Sequence, residues 1–390
     1  MNRPGSPPDD ARKAEPESAP ARATRARPGD PVAAIDTPAL VIDLDAMRRN
    51  LACMATFARE HGMRLRPHAK MHKSATIARL QIEAGAVGVC VQKTGEAEAL
   101  ADGGVHDIFI SNEVIAEAKL ARVAALAQRV RLAVAVDSAL GVQRLAQAVK
   151  AAGSKVEVFV EIDVGQGRCG VSATAAGALA HQVLAHGLNF AGLQAYHGRA
   201  QHLREAAQRE AAIAHAVAQV RAAQASITAA GMRCPLVTGA GTGSFLYEAA
   251  SGVYGELQAG SYLFMDRDYA DNQATPGAPQ FEHALFVKSQ VMSRSASHAV
   301  LDAGHKSHAI DSGLPSVHGL DLEFANGSDE HGILRPRGSA LPALGETVWL
   351  IPGHCDPTVN LHDHYVVVEG GLGQGRVAAL WPVDARGRSD

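Results

Sequence analysis

Residues 130–162 contain the repeating unit that indicates the fold: VRLAVAVDSALGVQRLAQAVKAAGSKVEVFVEI. Val130–Val136 and Val156–Ile162 are short runs of mainly apolar residues, as is typical of buried strands. The residues between them are rich in Ala and Leu and have helical spacing. Because no hairpin signal separates the two strands, the unit predicts that they pair in parallel across a helix.

The same unit recurs along the chain and predicts eight strands separated by helical segments. The strands are Met63–Arg66, Val87–Val91, Asp107–Ser111, Val130–Val136, Val156–Ile162, Phe190–Ala195, Pro235–Thr238 and Glu256–Ala259. Eight parallel units predict an α/β protein built on a closed (β/α)8 barrel, the TIM barrel. An open, doubly wound sheet is the alternative, because periodicity does not report closure.

The pattern changes near Arg267, where helical spacing gives way to short strands separated by turn signals. The predicted strands are Ala284–Met292, Ala299–Leu301, Thr347–Ile351, Tyr365–Val368 and Arg376–Trp381. We therefore expect a barrel over residues 33–270 and a C-terminal β domain over residues 271–390, with residues 33–44 able to pack with that domain. Residues 1–32 are rich in Pro, Ala and charged residues without apolar periodicity, which predicts a disordered tail.

Composition narrows the classes of function. Of the 390 residues, nearly half are apolar and a fifth are charged, as in ordinary globular proteins, and the formal net charge is -3. The two signs of charge are mixed, so nothing favours nucleic acid or an anionic membrane as a partner. Five widely spaced cysteines without a CxxC pair favour a reducing compartment. Without a membrane-length apolar run or a secretory signal, we expect a cytoplasmic protein.

The loop after the first barrel strand carries the residue most suggestive of chemistry. Residues 66–73 read RPHAKMHK, and active residues of barrels follow the C-terminal ends of strands. Partial desolvation there lowers the pKa of a lysine and makes its neutral amine available for Schiff-base formation, so we predict this role for Lys70. Lys73 is the better candidate for a solvated lysine. A basic surface turn is the alternative interpretation of the whole run.

Further candidates follow later strands. Arg168 lies in a glycine-rich loop, residues 163–170, and supplies a permanent charge. Tyr196 and His202 follow the sixth strand and suit ring packing and acid–base chemistry, although each alone is more often structural. Glycines and hydroxyls after the seventh and eighth strands form a candidate anion cradle. The two runs are residues 238–244 and 258–262.

A candidate metal pair lies in the predicted β domain. His354, Cys355 and Asp356 begin at the end of a predicted strand. Side chains alternate along a strand, so the imidazole and the carboxylate can face one point while Cys355 points away. This donor pair suits Mn²⁺, Mg²⁺ or Zn²⁺. A hydrogen bond between His354 and Asp356 within a turn is the alternative.

Together these elements resemble the fold-type III pyridoxal 5'-phosphate (PLP) enzymes, the alanine-racemase-like group, and within it the D-threonine aldolase and D-serine dehydratase branch. The matching segments are residues 36–40, 66–70, 167–168, 238–239, 260–262, 328–332 and 354–356. The resemblance implies that Lys70 bonds PLP, that Arg168 contacts the pyridine nitrogen and that Tyr196 lies near the ring. It also implies that His202 acts as a base. The phosphate residues would be Thr238, Gly239, Gly241, Gly260, Ser261 and Tyr262, and the metal ligands His354 and Asp356.

The resemblance also implies an activity. The chain resembles the aldolases of this group, which have the motif His-x-Asp. The dehydratases of the group have His-x-Cys instead, in which a thiolate favours zinc. We therefore expect a lyase that cleaves D-β-hydroxy-α-amino acids to glycine and an aldehyde, with Mn²⁺ as the expected ion and Mg²⁺, Ca²⁺ or Zn²⁺ as alternatives. A dehydratase acting on D-serine or D-threo-3-hydroxyaspartate is the second reading. A racemase and a non-catalytic PLP carrier are more remote. The family further implies a homodimer that takes a small-molecule amino-acid substrate.

Overall fold

The structure, a computed structural model, describes residues 26–390. The segment before the barrel forms strand β1 (Ala39–Asp43) and helix α1 (Leu44–Glu60). The carboxylate of Asp43 caps this helix by accepting hydrogen bonds from the backbone N–H groups of Asp45 and Ala46. The change from strand to helix is therefore set by one acidic residue at their junction.

Eight parallel strands form the barrel. They are β2 (Arg64–Leu65), β3 (Val89–Val91), β4 (Asp107–Glu113), β5 (Arg131–Val136), β6 (Glu157–Glu161), β7 (Asn189–Gln194), β8 (Val237–Gly239) and β9 (Glu256–Leu257). Their order is β2-β9-β8-β7-β6-β5-β4-β3. The ring closes because the N–H of Val87 donates to the carbonyl of Leu65 at 2.8 Å and His68 forms a parallel bridge with Cys90. The predicted TIM-like barrel is confirmed, and the open doubly wound alternative is wrong.

Helices follow the strands and cover the outside of the barrel. After α1 they are α2 (Ala75–Glu83), α3 (Thr94–Asp102), α4 (Glu117–Leu126), α5 (Ala139–Ala152), α6 (Ala176–Ala185), α7 (Ala206–Ala229), α8 (Phe245–Ala250) and α9 (Arg267–Ala270). One more short helix, α10 (Cys355–Val359), belongs to the C-terminal domain. Ile108 and Ile110 of β4 pack in the same apolar cluster as the helices, whereas Phe109 packs with Phe159 inside the barrel. Both faces of the strand are thus buried, which is why the barrel strands have nearly continuous apolar runs.

A second sheet forms the C-terminal β domain. Its strands are β1 together with β10 (Leu285–Arg294), β11 (Ala299–Leu301), β12 (Ser316–Val317), β13 (Leu322–Gly327), β14 (Gly332–Pro336), β15 (Thr347–Ile351), β16 (His364–Glu369) and β17 (Arg376–Pro382). β1 lies between β10 and β16, antiparallel to the first and parallel to the second. The sequence missed β12, β13 and β14. In the hairpin of β13 and β14 only alternate side chains such as Phe324 and Leu334 are buried, so no apolar run marks it.

The N-terminal segment extends the C-terminal domain further than the sequence suggests. Residues 1–25 of the predicted tail lie outside the described residues. Residues 26–32, also assigned to that tail, instead pack on the second sheet: Ala26 and Val32 are buried, and the N–H of Gly29 donates to the carbonyl of Val377 at 2.8 Å. The prediction of a tail up to residue 32 is therefore wrong for these seven residues, because their backbone has a strand edge to bond to.

The two sheets meet at the loop that follows β2. Tyr365 of β16 is fully buried, and its hydroxyl donates to the carbonyl of His72 at 2.5 Å. Lys73, predicted to be solvated, is instead buried and pairs with Glu96 at 2.8 Å. The C-terminal domain thus covers this loop and fixes its course. Among the described residues, no helix combines the length and apolar character that a membrane crossing requires.

Candidate active site

Lys70 lies in a short 3-10 turn after β2 and points to the second domain. Its Nζ forms an ion pair with the carboxylate of Asp356, which is 286 positions away in the chain. Burial lowers the pKa of Lys70, but the charges of Asp356 and Tyr196 outweigh it, so the net shift is upward. The predicted depression of the lysine pKa is therefore wrong for this arrangement. The neighbouring carboxylate stabilises the ammonium form.

A cavity of about 520 Å³ opens beside Lys70 at the C-terminal ends of the barrel strands. Seven of the predicted site residues line it: Lys70, Arg168, Tyr196, His202, Gly241, Gly260 and Ser261. The guanidinium of Arg168 lies over the ring of Tyr196, 6.0 Å from its centroid. The structure therefore gathers residues from four other strand ends around one lysine, with a volume suited to a small cofactor and its substrate.

The cradle loops after β8 and β9 contain two glycines at which any side chain would collide with neighbouring atoms. A Cβ on Gly260 would lie 2.8 Å from the carbonyl oxygen of His68, and one on Gly241 would lie 2.4 Å from Oε1 of Gln201. Thr242 and Ser261 add hydroxyl groups at the cavity wall. Backbone this close to a cavity, with hydroxyls beside it, fits a phosphate group.

Three residues predicted to hold the phosphate do not line this cavity: Thr238, Gly239 and Tyr262. The hydroxyl of Thr238 donates to Glu256 at 2.9 Å inside the barrel, and Tyr262 is fully buried. Thr238 and Gly239 still belong to β8. Their polar groups are therefore bonded within the barrel and do not reach the cavity. Thr242, four residues further on, faces the cavity instead. It lies in the same glycine-rich run but was not selected from the sequence.

His202 is held by an acidic partner that the sequence did not reveal. Its Nδ1 lies 2.6 Å from Oδ2 of Asp268, whose side chain is only 6% exposed. Burial raises the pKa of Asp268, but His202 and Arg204 outweigh this and lower it to about 2. Asp268 therefore stays ionised, and the imidazole is oriented with its Nε2 as the remaining nitrogen for chemistry.

The predicted metal pair lies on the far side of Lys70. His354 and Asp356 line an adjoining cavity of about 340 Å³ together with Lys70 and Asp311. Nε2 of His354 lies 3.6 Å from Oδ1 of Asp356, and this buried oxygen accepts no hydrogen bond from the described residues. Nδ1 of His354 lies 2.6 Å from the carboxylate of Asp311. A carboxylate behind the imidazole and an unbonded carboxylate oxygen in front of it fit a divalent ion.

The charges around His354 change the pKa of its imidazole. Burial lowers the pKa of His354, but Asp356 and Asp311 outweigh it and raise the pKa to about 9. Cys355 is fully buried in the apolar core, and its N–H donates to Asp266 at 2.9 Å. The thiol therefore faces away from the pair, but not through strand alternation: β15 ends at Ile351, and His354 is the N-cap of helix α10, to which Cys355 and Asp356 belong. Asp311 could not be found from the sequence, because no motif connects it to His354.

The comparisons with known proteins agree with this geometry. Residues 42–268 match the model of the alanine racemase N-terminal domain, and residues 284–368 match a putative serine dehydratase domain. The chain therefore belongs to the alanine-racemase-like, fold-type III family of PLP-dependent enzymes. The resemblance inferred from the sequence is confirmed.

Individual relatives are similar over nearly the whole chain. A D-threonine aldolase of Arthrobacter sp is 46% identical over 369 residues, covering 93% of this chain and 96% of that protein. A 3-hydroxy-D-aspartate aldolase of Paracoccus denitrificans is 43% identical, covering 93% and 95%. The crystal structure of D-threonine aldolase from Filomicrobium marinum has a TM-score of 0.91 at 47% identity, covering 94% of this chain and all of that one.

Proposed function

We propose that this protein is a PLP- and divalent-metal-dependent aldolase that cleaves D-threonine and related D-β-hydroxy-α-amino acids into glycine and an aldehyde. The observation that carries the proposal is the meeting of Lys70 with His354 and Asp356. A lysine for the cofactor and a metal-type pair for a hydroxyl thus lie at one point between two domains. The aldolase relatives from Arthrobacter and Paracoccus support the same reading.

The residues of the large cavity suit the cofactor. Bound PLP supplies an electron sink for cleavage of the bond between Cα and Cβ. Lys70 would bond the cofactor, and Arg168 would face the pyridine nitrogen beside Tyr196. Because an arginine stays protonated, it leaves that nitrogen without a proton and favours a limited range of reactions. The loops containing Gly241 and Gly260 would hold the phosphate.

The residues around the smaller cavity suit the substrate hydroxyl. His354 and Asp356 would hold a divalent ion, for which we propose Mn²⁺, and the bound ion supplies Lewis acidity toward the hydroxyl. His202, oriented by Asp268, would take the hydroxyl proton directly or through a water molecule. Loss of that proton allows the carbon–carbon bond to break and releases the aldehyde.

A dehydratase remains the second candidate because residues 284–368 match the serine dehydratase domain. Such an enzyme would share the cofactor and metal residues but expel the hydroxyl group instead of the aldehyde. Asp356, rather than Cys355, contacts Lys70, and the thiol is buried away from the pair. This favours a carboxylate as the second ligand and with it the aldolase.

Product analysis tests the proposal directly. The purified protein, reconstituted with PLP and Mn²⁺, is incubated with D-threonine, with L-threonine and Lys70→Ala as controls. Glycine and acetaldehyde from the D-isomer are expected, with no turnover by the variant. Formation of 2-oxobutanoate and ammonia would establish the dehydratase instead. A protein without the visible absorption of bound PLP would contradict the cofactor assignment. The homodimer and the cytoplasmic location stay predictions, the first open to size-exclusion chromatography.

A further inference from the structure

A group of acids and one thiol surrounds the ends of β4, β5 and β6, apart from the His354 pair. Glu113 ends β4, Asp137 directly follows β5, and Cys169 lies in the loop after β6. One ligand atom from each side chain lies within 4.8 Å of those of the other two. Within residues 26–390 this is the one set of three or more His, Cys, Asp or Glu side chains with such spacing. The spacing is close enough for all three to reach a single ion.

Glu161 gives independent evidence that a ligand is needed there. Its side chain is only 5% exposed, and its Oε2 accepts no hydrogen bond from the described residues. Burial first, and then the adjacent Glu113, raise the pKa of Glu161 to about 9. Both carboxylate oxygens of Glu113 are also buried without a partner among those residues. Buried carboxylate oxygens without donors are costly, because nothing replaces the water that they lost.

The nearby arginine does not satisfy this need. Nη2 of Arg168 lies 4.0 Å from Oε1 of Glu161, beyond hydrogen-bond distance, and its guanidinium lies over the ring of Tyr196. The backbone N–H of Gly170 donates to Oδ2 of Asp137 at 3.2 Å, and the thiol of Cys169 lies beside Glu113 as a further donor. Three carboxyl groups thus share one backbone N–H, one thiol and one arginine at 4.0 Å.

The pairing of the barrel strands is irregular at this group. The pairing of β4 with β5 shifts register between Ile110 and Glu113, so that Glu113 lies opposite Ala135. Such bulges redirect side chains at the ends of barrel strands and are common beside active sites. Asp137, which directly follows β5, lies two residues beyond Ala135.

We propose that Glu113, Asp137 and Cys169 bind a second divalent cation of the Zn²⁺ type, with Glu161 as a further oxygen donor. Two carboxylates and a thiol form a donor set that suits Zn²⁺ and differs from the imidazole and carboxylate of the other pair. The cysteine loses its proton on binding. Because Cys169 directly follows Arg168, the ion ties the arginine loop to two barrel strands and holds the guanidinium in place at the large cavity.

Cobalt is the probe that separates this site from the His354 pair. A Co²⁺ ion bound by a thiolate shows an intense charge-transfer band in the near ultraviolet, which an imidazole and a carboxylate do not produce. The full-length protein, stripped of metal by dialysis, is titrated with Co²⁺ beside three variants. The band is expected in the unmodified protein, in His354→Ala and in the matched control Cys355→Ser, and it is absent from Cys169→Ser. Its absence from the unmodified protein, or its survival in Cys169→Ser, would overturn the proposal.

A second variant keeps the test valid if Cys169→Ser does not fold. Glu113→Gln retains the thiol and the shape of the side chain but removes one anionic ligand. Its charge-transfer band should require a Co²⁺ concentration higher by about tenfold or more. An unchanged titration in Glu113→Gln, with a native circular dichroism spectrum, would exclude the assigned ligands. Neither measurement uses catalytic turnover, so the result is independent of the proposed aldolase activity.

Discussion

Glu248 of α8 offers a quantitative test of how the cradle loop is supported. The residue is 1% exposed, and the hydroxyl of Ser244 donates to its Oε1 at 2.8 Å. Its Oε2 accepts no hydrogen bond from the described residues. Burial, only partly offset by Ser244, raises the pKa of Glu248 from 4.5 to about 7. The folded protein therefore holds this proton at pH values where the unfolded chain has lost it.

The sign and size of the effect follow from proton linkage. Between pH 4.5 and about 7 the folded state binds more protons than the unfolded state, so the free energy of unfolding falls as pH rises. The stabilisation is fully present below the unfolded pKa and is lost as pH passes the folded pKa. The difference of roughly 2.5 pH units corresponds to about 3 kcal/mol. Glu248→Gln has no proton to lose, so its stability should lack this decline.

Urea unfolding of the cofactor-free protein from pH 5 to pH 8 measures the difference. Relative to Glu248→Gln, the unmodified protein should lose about 2 to 3 kcal/mol of stability across this range. Glu60 is exposed at the end of α1, so Glu60→Gln should follow the unmodified protein and serves as the matched control. Parallel curves for the unmodified protein and Glu248→Gln would refute the reasoning, because they would mean that the buried carboxyl titrates normally.

Three further predictions concern the metal pair, the cradle and the barrel interior. His354→Ala should abolish Mn²⁺-stimulated cleavage of D-threonine while leaving the visible absorption of bound PLP; retained stimulation would contradict the metal assignment. Gly260→Ala should weaken PLP binding by about tenfold in fluorescence titrations, because its Cβ would lie 2.8 Å from a backbone oxygen of the lysine loop, whereas Gly373→Ala, with open space around it, should bind normally. Glu256→Gln should destabilise the protein by about 3 kcal/mol in denaturation experiments, since the fully buried carboxylate pairs with two arginines. An unaltered unfolding midpoint would mean that those arginines find other partners.

The pattern of apolar residues in short segments was sufficient to predict the barrel and much of the site. Each of the eight predicted barrel strands overlaps an observed one, because strand and helix periodicities are properties of short segments. Seven of the predicted residues line the large cavity, since chain position after a barrel strand predicts position at the mouth. The hairpin of β13 and β14 was missed because its burial alternates and its exposed residues are polar.

Hydrogen-bond partners from distant segments could not be predicted from sequence patterns. Asp311 and Asp268 orient His354 and His202, yet neither lies in a motif with its histidine. The acids around Cys169 come from three separate strand ends. Hydrogen bonds of this kind depend on the side chains that the fold brings within about 3 Å, which separation along the chain does not report.

The sequence by itself determined that Lys70 follows a barrel strand and that His354 and Asp356 can face one point. Only the tertiary structure decided that these two features meet. β1 inserts between β10 and β16, and Tyr365 binds the lysine loop, so the second sheet brings Asp356 to Lys70 across 286 positions. That contact reversed the expected direction of the lysine pKa. The physical reason is that desolvation can be anticipated from a strand end, whereas the opposing charge acts through space and requires the folded chain.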